Sequence, residues 1–234
     1  MGAERSTVVL VHGAWGGSWC WERVVPLLEQ RGVHAVTVDL PSVGAEPDDE
    51  CSLAADAAVV TRVLDGGDGP FLVCGHSYGG MVVTQATAGR SDVARLVYLC
   101  AFMPDAGDSL FTITGGAAPW IDVLDDGRTL PDLERAAVVG YADCDDTTRA
   151  NAIARLRPQV PAPFLDPVPA VAWREIPTTY VVCTEDQSLP VELQRDVFAP
   201  RAGEVVELAS SHSPFFSQPE RVADLLAERA AARA

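Results

Sequence analysis

Ser77 is the residue of this chain best placed to do chemistry. It stands in Gly75-His76-Ser77-Tyr78-Gly79, after the apolar run Phe71-Leu72-Val73-Cys74 and before a helix-like run from Met81 to Ala88. A G-x-S-x-G between a strand and a helix is a nucleophile elbow, a sharp, strained turn that leaves the serine hydroxyl exposed. Glycine is needed on both sides because strand and helix pack too closely there for side chains at positions 75 and 79. A serine hydroxyl attacks only when a base takes its proton, so the elbow calls for a histidine elsewhere.

The chain has four histidines: His12, His34, His76 and His212. His76 adjoins the serine and should point away from it, and His34 reads as a surface residue at a strand entry. His212, in Ser210-Ser211-His212-Ser213-Pro214-Phe215, follows the last strand-like run and precedes the last helix. A loop at a strand's carboxyl end can reach the elbow, and the chain order serine, acid, histidine is then kept. The imidazole needs a carboxylate on its other nitrogen to fix its tautomer and steady its charge. Asp186, in Thr184-Glu185-Asp186-Gln187-Ser188, is the preferred acid; Asp105 is the other candidate. The developing oxyanion needs two backbone N–H donors. Tyr78 supplies one and Ala14 the other, from His12-Gly13-Ala14-Trp15 after the first strand, where Gly13 allows close approach and His12 buttresses the loop.

Such a set needs a sheet to hold it. Strands are expected at Thr7–Val11, Ala35–Asp39, Phe71–Cys74, Leu96–Phe102, Thr178–Thr184 and Glu204–Leu208. Helices are expected at Ser18–Gln30, Leu53–Leu64, Gly79–Gly89, Val191–Phe198 and Pro219–Ala232. The strands are apolar on both faces, as in a parallel sheet covered by helices on each side. Alternation of the two element types predicts an α/β fold, a mostly parallel sheet of about six strands. From Pro104 to Arg174 the alternation stops, leaving turns, two helix-like stretches (Leu130–Gly140 and Asp146–Leu156) and a proline-rich return from Pro158 to Pro169. A structureless loop of that length is improbable. The expected organisation is a core of residues 1–103 and 175–234 carrying a helical cap at 104–174. Gly66-Gly67-Asp68-Gly69 is a turn before a strand, with no Gly-Lys-Ser/Thr after it, and not a phosphate loop.

Composition narrows the chemistry. The formal charge is −16, and all 17 basic residues are arginine. Such a surface repels nucleic acid and anionic membranes, and the absence of lysine excludes Schiff-base catalysis. No apolar run is long enough for a membrane span. Met1-Gly2-Ala3-Glu4-Arg5 runs directly into a strand, without room for a signal peptide, so a cytoplasmic location is expected. The six cysteines have neither C-x-x-C nor zinc spacing and read as free thiols. No metal and no cofactor are expected. The sequence allows a homodimer without fixing the oligomeric state.

Taken together, these motifs resemble the α/β-hydrolases of the plant methylesterase and hydroxynitrile-lyase type, in their bacterial branch. The resemblance is carried by Val11-His12-Gly13-Ala14-Trp15-Gly16-Gly17-Ser18-Trp19-Cys20-Trp21, Gly75-His76-Ser77-Tyr78-Gly79-Gly80, Ala101-Phe102-Met103-Pro104, Cys183-Thr184-Glu185-Asp186 and Ser211-His212-Ser213-Pro214-Phe215-Phe216. It runs nearly end to end and is weakest in the cap. It implies an α/β-hydrolase fold and the triad Ser77, His212, Asp186. Lyases of this type carry a threonine where this chain has Gly13, and a lysine where it has Ser213. Without the ammonium that would steady departing cyanide, the resemblance implies ester hydrolysis. The expected activity is therefore that of a carboxylic ester hydrolase working through an acyl-enzyme on a small to medium apolar or aromatic ester. Thioesters and lactones could use the same machinery. A triad-retaining binding protein, or a lyase or cyclase on the same fold, is the alternative. Trp15, Trp120 and Phe215 are the expected pocket residues, with Trp19, Phe111, Phe164 and Phe216 also near the motif loops and cap.

Overall fold

The computed structural model describes residues 7–47 and 49–231. Met1–Arg5 and Ala232, on which the sequence reading also touched, lie outside the described residues. The sheet strands are β1 (Thr7–Val11), β2 (Ala35–Thr37), β3 (Phe71–His76), β4 (Val93–Leu99), β7 (Thr178–Cys183) and β8 (Glu204–Leu208), and a separate pair, β5 (Ile121–Val123) and β6 (Thr129–Pro131), lies between β4 and β7. The six sheet strands run in the order β2-β1-β3-β4-β7-β8 and every pairing is parallel. Their alternation divides the core in two. Val9, Val11, Val73, Tyr98 and Val182 pack on one face against α2 (Leu53–Asp65) and α3 (Gly79–Ala86). Val8, Leu10, Cys74, Val97 and Val181 pack on the other against α1 (Val25–Gln30) and the C-terminal helix Pro219–Ala231.

β1 leads outward to β2 on one side, whereas β3 and all later strands lie on the other. In open parallel sheets the crevice beyond the carboxyl ends at such a switch point is where ligands bind. Val11 pairs with Gly75, so the loop after β1 and the elbow after β3 leave the sheet side by side. Cys183 pairs with Leu208, which likewise brings together the loops holding Asp186 and His212.

Several boundaries differ from the sequence reading. β3 continues through Gly75 to His76, because the elbow turns only at Ser77. β4 stops at Leu99, where Cys100 takes a φ of 37° and the chain leaves the sheet before Phe102. The stretch Ser18–Gln30 is a short 3₁₀ turn at Ser18–Trp21 followed by α1, with Pro26 accommodated in the first turn of that helix. Residues 104–174 hold the helices α4 (Leu110–Thr114), α5 (Leu133–Val139), α6 (Asp146–Ile153) and α7 (Ala162–Leu165), but also the antiparallel pair β5–β6. Strands of three residues carry too little alternation to be seen in a sequence. The six cysteines are unpaired. No helix among the described residues is long and apolar enough to cross a membrane.

Candidate active site

Ser77 has a φ of 51°, the left-handed conformation that a side-chain-bearing residue adopts only when its surroundings enforce it. The enforcement comes from contact between elements. A Cβ on Gly79 would lie 2.6 Å from the His12 carbonyl oxygen, and one on Gly80 would lie 2.0 Å from that of Phe102. α3 can therefore start against both flanking loops only if these positions are glycine. Gly13 is pressed equally close: its Cβ would stand 2.9 Å from that of Ser77.

The structure brings Asp186 to His212. The His212 Nδ1 lies 2.7 Å from Asp186 Oδ2, with both side chains buried. Asp186 is itself held on all sides: Oδ1 accepts from the Ser188 and Leu189 amides at 2.8 and 2.9 Å, and Oδ2 also accepts from Gln194 Nε2 at 2.9 Å. Nδ1 is committed to the carboxylate, and His212 and Ser77 line the same cavity. Asp105 goes elsewhere, pairing through both carboxylate oxygens with exposed Arg174 at 2.8 Å.

His12 is fully buried, donates from Nδ1 to the Gly13 carbonyl at 2.7 Å and accepts the Leu40 amide at Nε2. Burial lowers its pKa to about 4, so the ring stays neutral. Among the described residues, neither the Ala14 nor the Tyr78 backbone N–H donates a hydrogen bond, and both residues line the cavity beside Ser77.

Three contacts around His212 were not legible in the sequence. His76 Nε2 donates to the His212 carbonyl at 2.8 Å. Burial, then the neighbouring His212 ring, keeps its pKa well below the usual value, so it acts as a neutral donor. Asp143, just before α6, accepts from the Ser210 hydroxyl, the Ser211 amide and the Ser211 hydroxyl, gripping the two residues before His212. Burial would raise its pKa, but the hydrogen bonds from Ser211, Ser217 and Ser210 outweigh that and hold it low. Gln194 is the third, anchoring Asp186. Gln194 lies eight residues from its partner, a local signal; His76 and Asp143 lie 136 and 68 residues from theirs and offer none. His76, Cys100 and His212 place possible metal ligands within 4.8 Å of one another. His76 Nε2 and the Cys100 thiol both meet the His212 carbonyl, and His212 Nδ1 meets Asp186, so these groups fasten a loop.

The cavity measures about 730 Å³. Trp15, Trp120, Phe164, Phe111 and Phe215 line it, whereas Trp19 and Phe216 stack on each other outside it. Trp15 meets Trp120 and Phe164 edge-on, and Phe215 stands edge-on to His76. Among the described residues no aspartate, glutamate or arginine lines it.

A model of the alpha/beta hydrolase family matches residues 8–225. The chain is 32% identical to a pyrethroid hydrolase of Sphingobium wenxiniae, over 97% of this chain and 88% of that protein. It is 28% identical to methylesterase 9 of Arabidopsis thaliana, over 93% and 95% of the two chains. The crystal structure of a pyrethroid hydrolase from Sphingobium faniae superposes with a TM-score of 0.84 at 30% identity, covering 97% of this chain and 98% of that one.

Proposed function

The chain belongs to the alpha/beta hydrolase family, and we propose that it is a carboxylic ester hydrolase that acts through an acyl-enzyme on Ser77. Its similarity to a pyrethroid hydrolase and to a methylesterase supports the reaction class. The observation that carries the mechanism is a strained serine opening into the same cavity as a histidine locked on a buried aspartate.

In this reading Ser77 Oγ attacks the ester carbonyl while His212 Nε2 takes its proton. Asp186 fixes the tautomer that makes Nε2 the acceptor and steadies the imidazolium. The Ala14 and Tyr78 amides, which have no other acceptor among the described residues, receive the oxyanion. His212 then protonates the departing alcohol and afterwards activates water against the acyl-enzyme. Residues 104–174 serve as a cap over the carboxyl edge of the sheet.

The cavity sets the substrate. Its volume is in the range of roughly 300–1,000 Å³ that receives a drug-sized ligand. With no carboxylate or guanidinium on its wall among the described residues, an ionised substituent would be stripped of water and left without a partner, a cost of several kcal/mol. The substrate is therefore an ester uncharged on both its acyl and alcohol sides, with apolar or aromatic groups.

The test is turnover of p-nitrophenyl esters from acetate to decanoate, with p-nitrophenyl hemisuccinate as the charged control and Ser77→Ala alongside. Sustained hydrolysis of the neutral esters, absent in the variant and at least about 100-fold weaker on the hemisuccinate, is expected. A single-equivalent burst without turnover would make the protein a binder. Activity surviving Ser77→Ala would move it to non-hydrolytic chemistry.

A further inference from the structure

Ser42, Asp56 and Gln159 are fully buried polar side chains that take no part in the mechanism above. They form one continuous chain of hydrogen bonds, and its two ends are residues of the two oxyanion loops. At one end the Tyr78 hydroxyl donates to Asp56 Oδ2 at 2.7 Å. Ser42 Oγ donates to the same oxygen at 2.7 Å, and the Ser42 amide donates to Asp56 Oδ1 at 3.1 Å. Gln159 Nε2 donates to Ser42 Oγ at 2.9 Å. At the other end the Trp15 backbone N–H donates to Gln159 Oε1 at 2.9 Å.

We infer that Asp56, Ser42 and Gln159 are a positioning relay that holds the Ala14 and Tyr78 amides in register for the oxyanion. The inference rests on the oxyanion role given to those amides above.

Proton order makes the carboxylate essential. Burial pushes the Asp56 carboxyl up, against the hydrogen bonds from Ser42 and Tyr78 that favour its ionised form; as a carboxylate it only accepts, and Ser42 then points its single hydroxyl proton at it. Ser42 Oγ then has only lone pairs left for Gln159, which must present its NH₂ there and its carbonyl to Trp15. The Asp56 carboxyl and the Trp15 N–H thus agree on which end of the Gln159 amide faces the oxyanion loop. No arginine pairs with Asp56 among the described residues. A buried acid without a cation is costly and gains its compensation through such hydrogen bonds.

The loop it steers needs steering. Trp15 has a φ of 59°, and residues 157–159 clamp its peptide groups from both sides: Gln159 takes its N–H, and the Arg157 amide donates to its carbonyl at 3.0 Å. Gln159 cannot drift, since its backbone exchanges hydrogen bonds with Thr129 at 2.8 and 2.9 Å. Trp15 Nε1 adds a bond to Thr129 Oγ1 at 3.1 Å. On the far side, Tyr78 is buried with its ring edge-on to Phe164.

The test compares Gln159→Met, Asp56→Asn and the double variant with wild type, using kcat and KM on p-nitrophenyl butyrate, affinity for a trifluoromethyl ketone that forms a hemiketal oxyanion, and Tm. Outright loss of an oxyanion donor costs about 10²–10³ in kcat. A donor that is displaced should cost about 10–100-fold, with KM within about twofold and ketone affinity falling by the same factor. The double variant should be no worse than the poorer single. Gln159→Glu keeps the acceptor for Trp15 but sets a carboxylate oxygen against the Ser42 lone pairs, so it should not recover the lost kcat. Tyr78→Phe removes one arm without changing volume and should cost several-fold in kcat, so the relay remains testable if the core variants fail to fold. Lower Tm with kcat and ketone affinity unchanged, or losses that multiply in the double variant, would overturn the relay alone. A wild type that neither turns over esters nor binds the ketone would remove the parent reading, and the relay with it.

Discussion

Replacing Asp186 with asparagine changes one oxygen for an NH₂ and leaves packing intact, so its effect can be worked from hydrogen bonds alone. Asp186 accepts four donors: the Ser188 and Leu189 amides on Oδ1, and His212 Nδ1 and Gln194 Nε2 on Oδ2. Asparagine has one acceptor oxygen and must choose. If its oxygen faces the two backbone amides, its NH₂ faces His212 and Gln194. The imidazole then has to accept at Nδ1, which moves the proton to Nε2, and the base facing Ser77 is gone. If the amide turns the other way, two backbone N–H groups are left against an NH₂. Gln194 cannot relieve the conflict, because its Oε1 already accepts from the Cys183 amide and its Nε2 also donates to the Leu189 carbonyl. The first orientation sacrifices one bond and the second two, a difference of about 1–1.5 kcal/mol. That leaves roughly a tenth of the molecules in the base-competent orientation, and these lack the carboxylate charge that steadies the imidazolium. The expected fall in kcat is therefore roughly 10⁴-fold, the size of the wrong-tautomer effect in Ser-His-Asp enzymes. This corresponds to about 5.5 kcal/mol of barrier. The assay is kcat on p-nitrophenyl butyrate for protein shown folded by circular dichroism, with Asp105→Asn as the companion variant. A folded Asp186→Asn that keeps more than about a tenth of kcat would refute the reasoning, most plainly if Asp105→Asn were the inactive one.

Three further outcomes follow from the same geometry. Gly80→Ala would put a Cβ 2.0 Å from the Phe102 carbonyl oxygen, so α3 must move off the sheet; soluble yield and Tm should collapse, and a variant melting within a few degrees of wild type would contradict the close approach. His12 has its pKa lowered by burial to about 4, against 6.5 for an ordinary histidine, so between those values the unfolded chain binds more protons than the folded one. Its stabilising contribution is full above pH 6.5 and is lost as pH falls toward 4, by about 3 kcal/mol in all; the urea midpoint of wild type should fall more steeply over that window than that of His12→Asn, and parallel slopes would sink the idea. Cys20 lines the cavity, but burial pushes its thiol up to about 12. Iodoacetamide at pH 8 should leave activity intact until the protein is unfolded, and rapid inactivation that Cys20→Ala prevents would show a reactive thiolate instead.

The parts of this molecule legible in its sequence are those whose causes are local. A two-sided apolar strand, an elbow flanked by glycines, and a histidine or an aspartate just past a strand end each follow from a few consecutive residues. The order β2-β1-β3-β4-β7-β8 then carries Gly13, Ser77, Asp186 and His212 to one edge. What fixes their mutual geometry is not local. His76 holds the His212 carbonyl across 136 residues, and Gln159 takes the Trp15 amide across 144. Nothing about a lone glutamine after Arg157-Pro158 distinguishes it from a solvated loop residue, and the short strand pairing that orients it is too brief to leave a period. Asp56 is masked in a different way: in Leu53-Ala54-Ala55-Asp56-Ala57 it reads as an acid in the first turn of a helix, well suited to the helix dipole. Only the packing of α2 against α3 shows that it faces inward, onto Tyr78. The candidate groups of such a site can be proposed from spacing, while the side chains that set their distances must be found in three dimensions. Substitutions at Asp56 and Gln159 are therefore where kcat and sequence-based expectation should part most widely.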